Sequence, residues 1–93
     1  MIEFNKIYNE DCLSGMKKIS DNTVNCIITS PPYNVGLDYD EYKDNKPYDD
    51  YLSWIKEIFT ESYRVLAEDG RMCINIGDGK NGSIPTHSDF IQI

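Results

Sequence analysis

The chain alternates short apolar segments with polar turns, a pattern that predicts strands and helices in succession. Phe4 to Asn9 alternates as a short strand, and a short helix over Cys12 to Ile19 is predicted after Asp11, which stands where a helix N-cap is expected. The β-branched run Val24 to Thr29 is typical of a buried parallel strand. This strand ends at Ser30-Pro31-Pro32, because proline donates no hydrogen bond to a strand ladder.

The second half of the pattern predicts one long helix and another strand. Asp49 or Asp50 is predicted to cap this helix and to place negative charge in its first turn. The helix runs through Ala67, and Gly70 suits a left-handed position after its end. Arg71 to Gly77 is the second candidate strand. The apolar stripe of the long helix comprises Leu52, Ile55, Phe59, Ser62, Tyr63 and Leu66, whereas Trp54, Ile58 and Val65 lie off it.

This order of elements indicates an α/β domain with a largely parallel sheet. Two loops separate the elements, a long one over Asn34 to Lys46 and a turn-rich one over Gly77 to Gly82. A last helix is predicted with Thr86 or Ser88 as its cap, and its apolar residues Phe90, Ile91 and Ile93 begin only at the end of the sequence. We therefore expect these residues to be the front part of a longer domain.

The composition is that of one small globular domain. At 93 residues, folding buries roughly two thirds of the unfolded surface, so a single modest core is expected. No apolar run approaches the ~20 residues of a membrane span, and Met1 to Phe4 lacks the features of a signal peptide. A cytoplasmic location is therefore expected.

The cysteines and the net charge narrow the possible ligands. Cys12, Cys26 and Cys73 are widely spaced and odd in number, which indicates neither a disulfide framework nor a metal site, and we expect them to be buried. The formal net charge of -7 argues against DNA binding by these residues alone, because Lys and Arg contacts to phosphates supply most non-specific affinity. A DNA partner would require a basic surface elsewhere.

Ser30-Pro31-Pro32-Tyr33 is the segment that points to chemistry, because ligands of open α/β sheets bind at the carboxyl ends of the strands. Two consecutive prolines hold the backbone extended, so the Ser30 hydroxyl and the Pro31 carbonyl can both face one small polar group. An exocyclic amine of a base is such a group, and the Tyr33 ring offers a face on which a flipped base can stack. A rigid turn with a packed tyrosine is the structural alternative.

An exocyclic amine is a poor nucleophile, since its lone pair is delocalised into the ring. Two acceptors on its hydrogens favour a tetrahedral nitrogen and direct the lone pair at a methyl carbon held in line. The segment is thus suited to methyl transfer to an amino nitrogen.

The same residues carry a family resemblance. Ser30-Pro31-Pro32-Tyr33 after an apolar strand resembles the catalytic motif of the DNA amino-methyltransferases, which act on cytosine or adenine in restriction-modification systems or as orphan enzymes. Upstream, Asn9 to Leu13 is similar to an acidic turn of that family. Downstream, Tyr51 to Arg71 and Cys73 to Asp78 resemble its next helix and strand. The similarity extends over nearly the whole chain.

The resemblance implies S-adenosylmethionine as methyl donor and double-stranded DNA as substrate. It implies that Ser30, Pro31 and Tyr33 form the pocket for the base and its amino group, while Pro32 shapes the turn. It also implies that Asp11, 19 residues before Ser30, accepts a hydrogen bond from the adenine of the cofactor, and a helix N-cap is the compatible structural alternative. Serine at the first motif position is more usual among the cytosine enzymes, so Ser30 favours cytosine over adenine.

The implied fold is a partial Rossmann-like methyltransferase domain, of which residues 1–93 form the N-terminal part. Its glycine-rich Phe-x-Gly-x-Gly cofactor motif is absent from the sequence, since Gly77 to Gly82 lacks the preceding aromatic residue and is better interpreted as a surface turn. In permuted members of the family that motif lies in the second half. We therefore expect the cofactor motif and the target-recognition region outside these residues, and exposed sheet edges and low stability for residues 1–93 alone.

Two other functions remain open from the sequence. One is a non-catalytic remnant that keeps the fold and the Pro-Pro turn without the cofactor. The other is an RNA or small-molecule methyltransferase, since related Pro-Pro-Tyr turns serve other amines. If the protein belongs to a restriction-modification system, a cognate restriction endonuclease is its functional partner.

Overall fold

The computed structural model describes residues 2–32, 47–77 and 86–92, which form a small α/β unit. Helices and strands alternate along the chain, as the sequence pattern predicts. The predicted loop Asn34 to Lys46 and residues 78–82 of the predicted turn lie outside the described residues. In chain order the elements are α1 (Cys12–Met16), β1 (Val24–Thr29), α2 (Tyr48–Val65), β2 (Leu66–Ile74) and α3 (Thr86–Ile91).

The two strands form a parallel sheet, which confirms the predicted arrangement. The register pairs Ile27 of β1 with Met72 of β2, and Ile28 with Cys73. Because side chains alternate across a sheet, the first pair faces one side and the second pair faces the other. Ile27 and Met72 are half-buried, whereas Ile28 is 80% exposed. The sheet is therefore covered on one face only by the described part of the chain.

The prediction of buried cysteines is wrong, and so is the prediction of a buried β1 strand, because its residues are half-buried at most. Cys26 and Cys73 lie on the open face of the sheet together with Ile28, and all three residues are exposed. Cys12, in the first turn of α1, is exposed as well. The physical reason is that none of the described elements packs on that face of the sheet. Its apolar side chains therefore remain in contact with solvent.

The second strand begins directly where the long helix ends. α2 ends at Val65, two residues before the predicted end, and Leu66 already has an extended conformation. Val24 of β1 pairs with Leu66, but Cys26, two residues later, pairs with Arg71. Residues 67–70 therefore form a bulge inside β2. The strand is thus longer than the predicted segment, which began at Arg71.

Gly70 lies where two backbone segments approach closely, and its backbone is not left-handed. Its φ does not lie in the left-handed region, so the predicted helix C-cap is wrong. A Cβ atom at this position would lie 3.0 Å from the carbonyl oxygens of Ala67 and Val24 and from Cδ2 of Leu66. The bulge therefore brings two backbone segments so close together that a side chain at position 70 would require them to move apart by a few tenths of an ångström.

The core is aromatic and connects α2 with α3. It centres on Tyr51, Ile55 and Phe90, of which Tyr51 and Ile55 are fully buried. The rings of Phe59 and Phe90 meet edge to face, with their centroids 5.4 Å apart. The partly buried residues packed around this core are Tyr48, Leu52, Trp54, Phe59 and Ile76.

The buried face of α2 differs from the predicted stripe at its C-terminal end. Ile55 and Ser62 are buried as predicted, but Tyr63 is 82% exposed and Val65 is 1% exposed. Val65 is covered because the backbone N–H of Thr23 donates to its carbonyl at 2.8 Å, which holds the segment before β1 against this end of the helix. This long-range contact is invisible to helical periodicity.

The helix starts are partly as predicted. Thr86, one of the two residues predicted to cap the last helix, is the first residue inside α3. α2 begins at Tyr48, with Pro47 at the N-cap and no side-chain capping bond, so the predicted cap at Asp49 or Asp50 is wrong. Both aspartates lie in the first turn, where their charge favours the helix dipole.

The predicted first strand over Phe4 to Asn9 is wrong, because these residues carry no strand. Asn5 has a φ of 58°, which interrupts the extended run, and Phe4 and Ile7 are almost fully exposed. Alternating apolar residues become a strand only when a neighbouring strand pairs with them. The described residues supply no such neighbour.

Candidate functional site

The predicted site lies at the carboxyl end of the parallel sheet. Directly before it, the backbone N–H of Asn75, the residue after β2, donates to the carbonyl of Thr29, the last residue of β1, at 2.9 Å. Ser30, Pro31 and Pro32 follow, outside the strand. The structure thus places three of the four motif residues where α/β folds bind their ligands. Tyr33 lies outside the described residues.

The three residues differ in their exposure. Ser30 is exposed, Pro31 is buried and Pro32 is half-buried. The prolines anchor the turn in the protein, while the serine side chain remains at the surface beside the strand end. Since neither proline has a backbone N–H, Pro31 and Pro32 can form hydrogen bonds only through their carbonyl groups.

One of these carbonyl groups is held by a residue that the sequence analysis did not single out. The Tyr51 hydroxyl donates a hydrogen bond to the carbonyl of Pro32. Tyr51 lies in the first turns of α2 and belongs to the aromatic core. The sequence does contain a signal for it, since Tyr48, Tyr51 and Ile55 recur at the spacing of one helix face. The predicted stripe began at Leu52 and therefore missed it.

Asp11 lies at the start of α1 and is the N-cap of that helix. Its Oδ2 accepts hydrogen bonds from the backbone N–H of Ser14 at 3.1 Å and from the Ser14 hydroxyl at 3.5 Å. This confirms the structural interpretation of the residue. No donor among the described residues bonds to Oδ1, so one carboxylate oxygen of an exposed side chain is left as an acceptor.

Oδ1 of Asp11 is suited to the contact that the family resemblance implies with S-adenosylmethionine, a hydrogen bond from the amino group of its adenine. The glycine-rich cofactor motif of the family is absent from the sequence, so Asp11 is the one residue here that the resemblance assigns to the cofactor. The hydrogen bonds of Asp11 stay within α1, and the Pro-Pro turn is fixed from α2. The two halves of the predicted site are therefore built on separate elements.

α1 is itself held in place by Arg64 near the end of α2. The guanidinium group donates to the carbonyl of Met16, the last residue of α1, at 2.8 Å. It also donates to the carbonyl of Ile19, which follows the helix, at 2.9 Å. It also pairs with Asp21 at 2.7 Å and with Glu61 at 2.8 Å. A cation at the end of a helix bonds carbonyls that have no partner within the helix.

These contacts change the protonation behaviour of the residues involved. The hydrogen bond from Arg64 lowers the pKa of Glu61, and the bonds to Glu61 and Asp21 raise the pKa of Arg64. At the other end of α1, the pKa of the Cys12 thiol is raised. The larger cause is partial burial of its sulfur, and the second is the neighbouring Asp11 carboxylate. The Cys12 thiol is therefore protonated at neutral pH and is no candidate nucleophile.

Residues 2–32, 47–77 and 86–92 contain no cluster of three or more His, Cys, Asp or Glu side chains that could hold a metal ion. In the same ranges, none of the helices has the length and apolarity needed to cross a membrane. The Pro-Pro turn and the α1 start remain the candidate functional groups.

Comparison with known proteins identifies the family of the chain. A family model described as DNA methylase matches residues 24–92, which include both strands, the Pro-Pro turn and all of α2 and α3. The Type II methyltransferase M.MjaVI of Methanocaldococcus jannaschii is 38% identical over 95% of this chain and 50% of its own length.

Two further relatives are longer. The Type II methyltransferase M.BglII of Bacillus subtilis is 39% identical over 96% of this chain and 25% of its own length. The DNA adenine methyltransferase YhdJ of Escherichia coli K12 is 35% identical over 77% of this chain and 25% of its own length. The chain therefore spans between a quarter and a half of these relatives.

Proposed function

This chain belongs to the DNA methylase family, and from that premise we propose that the complete protein transfers a methyl group to the exocyclic amino nitrogen of cytosine in double-stranded DNA. Methyltransferases of this family use S-adenosylmethionine. One observation carries the proposal: Ser30, Pro31 and Pro32 follow a parallel strand directly, at the edge of the sheet where α/β enzymes bind their ligands.

In the proposed mechanism the target base leaves the DNA helix and enters the pocket at this edge. The Ser30 hydroxyl and the Pro31 carbonyl accept hydrogen bonds from the amino group, and the Tyr33 ring stacks on the base. When bound, S-adenosylmethionine would supply an electrophilic methyl carbon on a sulfonium, with the neutral thioether as the leaving group. The two acceptors localise the nitrogen lone pair, and the excess proton leaves to water after transfer.

Asp11 is the proposed cofactor residue of this part of the protein. Its Oδ1 accepts a hydrogen bond from the adenine amino group, while Oδ2 continues to cap α1. The proposal assigns the glycine-rich cofactor motif and the target-recognition region to the remainder of the protein, with residues 1–93 as the catalytic-motif part of a Rossmann-like domain. The length of the relatives supports this division.

The choice of cytosine rests on Ser30, because serine at this position is more usual among the cytosine enzymes of the family. The adenine amino group is the second candidate, since one relative, YhdJ, is named a DNA adenine methyltransferase. Both bases present an amine conjugated to the ring, so the same two acceptors serve either. The assay must therefore identify the modified base.

The remaining parts of the proposal concern partners. The net charge of -7 means that basic residues outside this chain supply the phosphate contacts to DNA. Several relatives are named Type II methyltransferases, which supports a cognate restriction endonuclease as functional partner. The proposal includes a cytoplasmic location, because the substrate is cellular DNA.

The test is methyl transfer from labelled S-adenosylmethionine to DNA by the complete gene product, with the modified base identified by mass. Ser30→Ala and Tyr33→Ala are expected to lower kcat by about 100-fold or more, the usual effect of losing a group that binds the reacting atoms. Ser53→Ala and Tyr63→Ala, at exposed positions of α2, are the matched controls and should retain the wild-type rate. Absence of transfer by a folded wild-type protein would favour the non-catalytic remnant.

A further inference from the structure

We infer that Tyr51 is a positioning residue of the methyl-transfer site, which fixes the Pro-Pro turn through the Pro32 carbonyl and so sets the direction of the base-binding groups. The inference rests on the proposed function and goes beyond it, because it assigns a role to a residue outside the Ser30 to Tyr33 segment. It depends on one hydrogen bond and on the rigidity of the residue that donates it.

The donor, the Tyr51 side chain, is tightly packed in the core. Tyr51 is 0% exposed, and its ring contacts those of Tyr48, Trp54 and Phe90 with centroid distances of 6.2, 6.3 and 6.1 Å. Its backbone N–H also donates to the Pro47 carbonyl at 2.9 Å, in the first turn of α2. A ring packed on several sides has little freedom, so its hydroxyl marks a fixed point in the protein.

The acceptor, the Pro32 carbonyl, is a group whose hydrogen bond can fix the backbone conformation of the Pro-Pro turn. Pro31 and Pro32 have no N–H, and their rings fix φ, which leaves ψ as the free backbone angle of each residue. The Pro32 carbonyl belongs to the peptide that leads covalently to Tyr33. Holding that carbonyl fixes ψ of Pro32, and with it the course of the chain between the proposed amine acceptors and the proposed stacking ring.

A purely structural role for Tyr51 is the alternative, and it makes a different prediction. If the phenol only satisfies its own hydrogen-bonding need in the core, removing the hydroxyl should change stability and leave the transfer step alone. If it positions the turn, the same change should slow transfer itself, because displacements of about 1 Å in a reacting group reduce rates by about 100-fold.

Tyr51→Phe and Tyr48→Phe make a matched pair for this test. Both substitutions remove one hydroxyl from the same end of α2 and keep the ring in the aromatic core. The Tyr48 hydroxyl donates to Asp89 of α3, whereas the Tyr51 hydroxyl donates to the Pro-Pro turn. The two variants therefore share the change in composition and differ in whether the turn loses a contact.

The experiment measures kcat, the KM for S-adenosylmethionine and Tm of the complete gene product, with rates taken well below the Tm of each variant. We expect Tyr51→Phe to lower kcat by about 10- to 100-fold with an unchanged cofactor KM, and Tyr48→Phe to retain the wild-type kcat. A kcat for Tyr51→Phe within twofold of wild type would overturn the inference and leave the proposed function standing.

Two further outcomes also count against it. If both variants lose kcat to the same extent and in proportion to their loss of Tm, Tyr51 acts through the stability of the core and not through the turn. If the folded wild-type protein transfers no methyl group to DNA, the proposed function fails and the inference fails with it.

Discussion

The guanidinium group of Arg64 donates a hydrogen bond to the carbonyl of Met16 at 2.8 Å and thereby joins the end of α2 to the end of α1. The two residues are far apart in the sequence, and the bond is one of several that Arg64 makes to the segment before β1. Since Asp11 caps the other end of α1, the same contact helps to hold the proposed cofactor residue in place.

Replacement of Arg64 should weaken the attachment of α1. Arg64→Ala removes the bonds to Met16, Ile19 and Asp21, and Arg64→Lys keeps the charge but not the planar group that reaches several acceptors at once. We expect Tm to fall in the order wild type, Arg64→Lys, Arg64→Ala, as measured by thermal unfolding. Arg71→Ala, at an exposed position of β2, is the control, and an equal effect there would contradict the prediction.

The pairing of Glu61 with Arg64 predicts a specific response to acid. The hydrogen bond from Arg64 lowers the pKa of Glu61 in the folded protein, so its stabilising contribution is complete above the pKa of the unfolded chain and is lost as the pH falls through the folded pKa. Wild type should therefore be more stable than Glu61→Gln at neutral pH, and the difference should shrink on acidification below the ordinary glutamate pKa. Thermal unfolding of both proteins across pH measures this, and a constant difference would argue against it.

The two roles of Asp11 can be separated by substitution. Asp11→Ser keeps a good N-cap, so stability should change by less than about 0.5 kcal/mol, whereas Asp11→Ala should cost about 1 kcal/mol. Both variants lose the carboxylate proposed to bind the cofactor, and we expect the KM for S-adenosylmethionine to rise about 10-fold or more in each. Denaturant unfolding and steady-state kinetics give the two numbers. An unchanged KM in Asp11→Ser would leave the residue as a helix cap alone.

The open face of the sheet predicts the reactivity of the cysteines. Parallel sheets are normally covered on both faces, so we expect the remainder of the complete protein to cover Cys26, Ile28 and Cys73. A thiol reagent should label Cys26 and Cys73 rapidly in the 93-residue chain and slowly in the complete gene product, with labelled positions read by mass spectrometry. Equally fast labelling in both would show that this face stays open.

Much of the fold was predictable because local rules decide it. The β-branched run before Ser30, the long amphipathic segment through Ile55 and the Asp11 cap each depend on near neighbours in the chain. The parallel sheet followed from the alternation of strands and helices. The position of the Pro-Pro turn at the carboxyl end of β1 followed from the same alternation, since proline ends a strand.

The sequence by itself therefore determined the presence and order of α1, β1, α2, β2 and α3, the family resemblance and the place of the motif, whereas the strand predicted over Phe4 to Asn9 did not form. Only the tertiary structure decided which faces are covered: Val65 is buried by the segment before β1, while Ile28 and two of the cysteines stay exposed. It also decided that Tyr51 reaches the Pro32 carbonyl. The physical reason is that periodicity reports the neighbours of a residue along one element, whereas burial and long-range hydrogen bonds depend on which other elements pack against it.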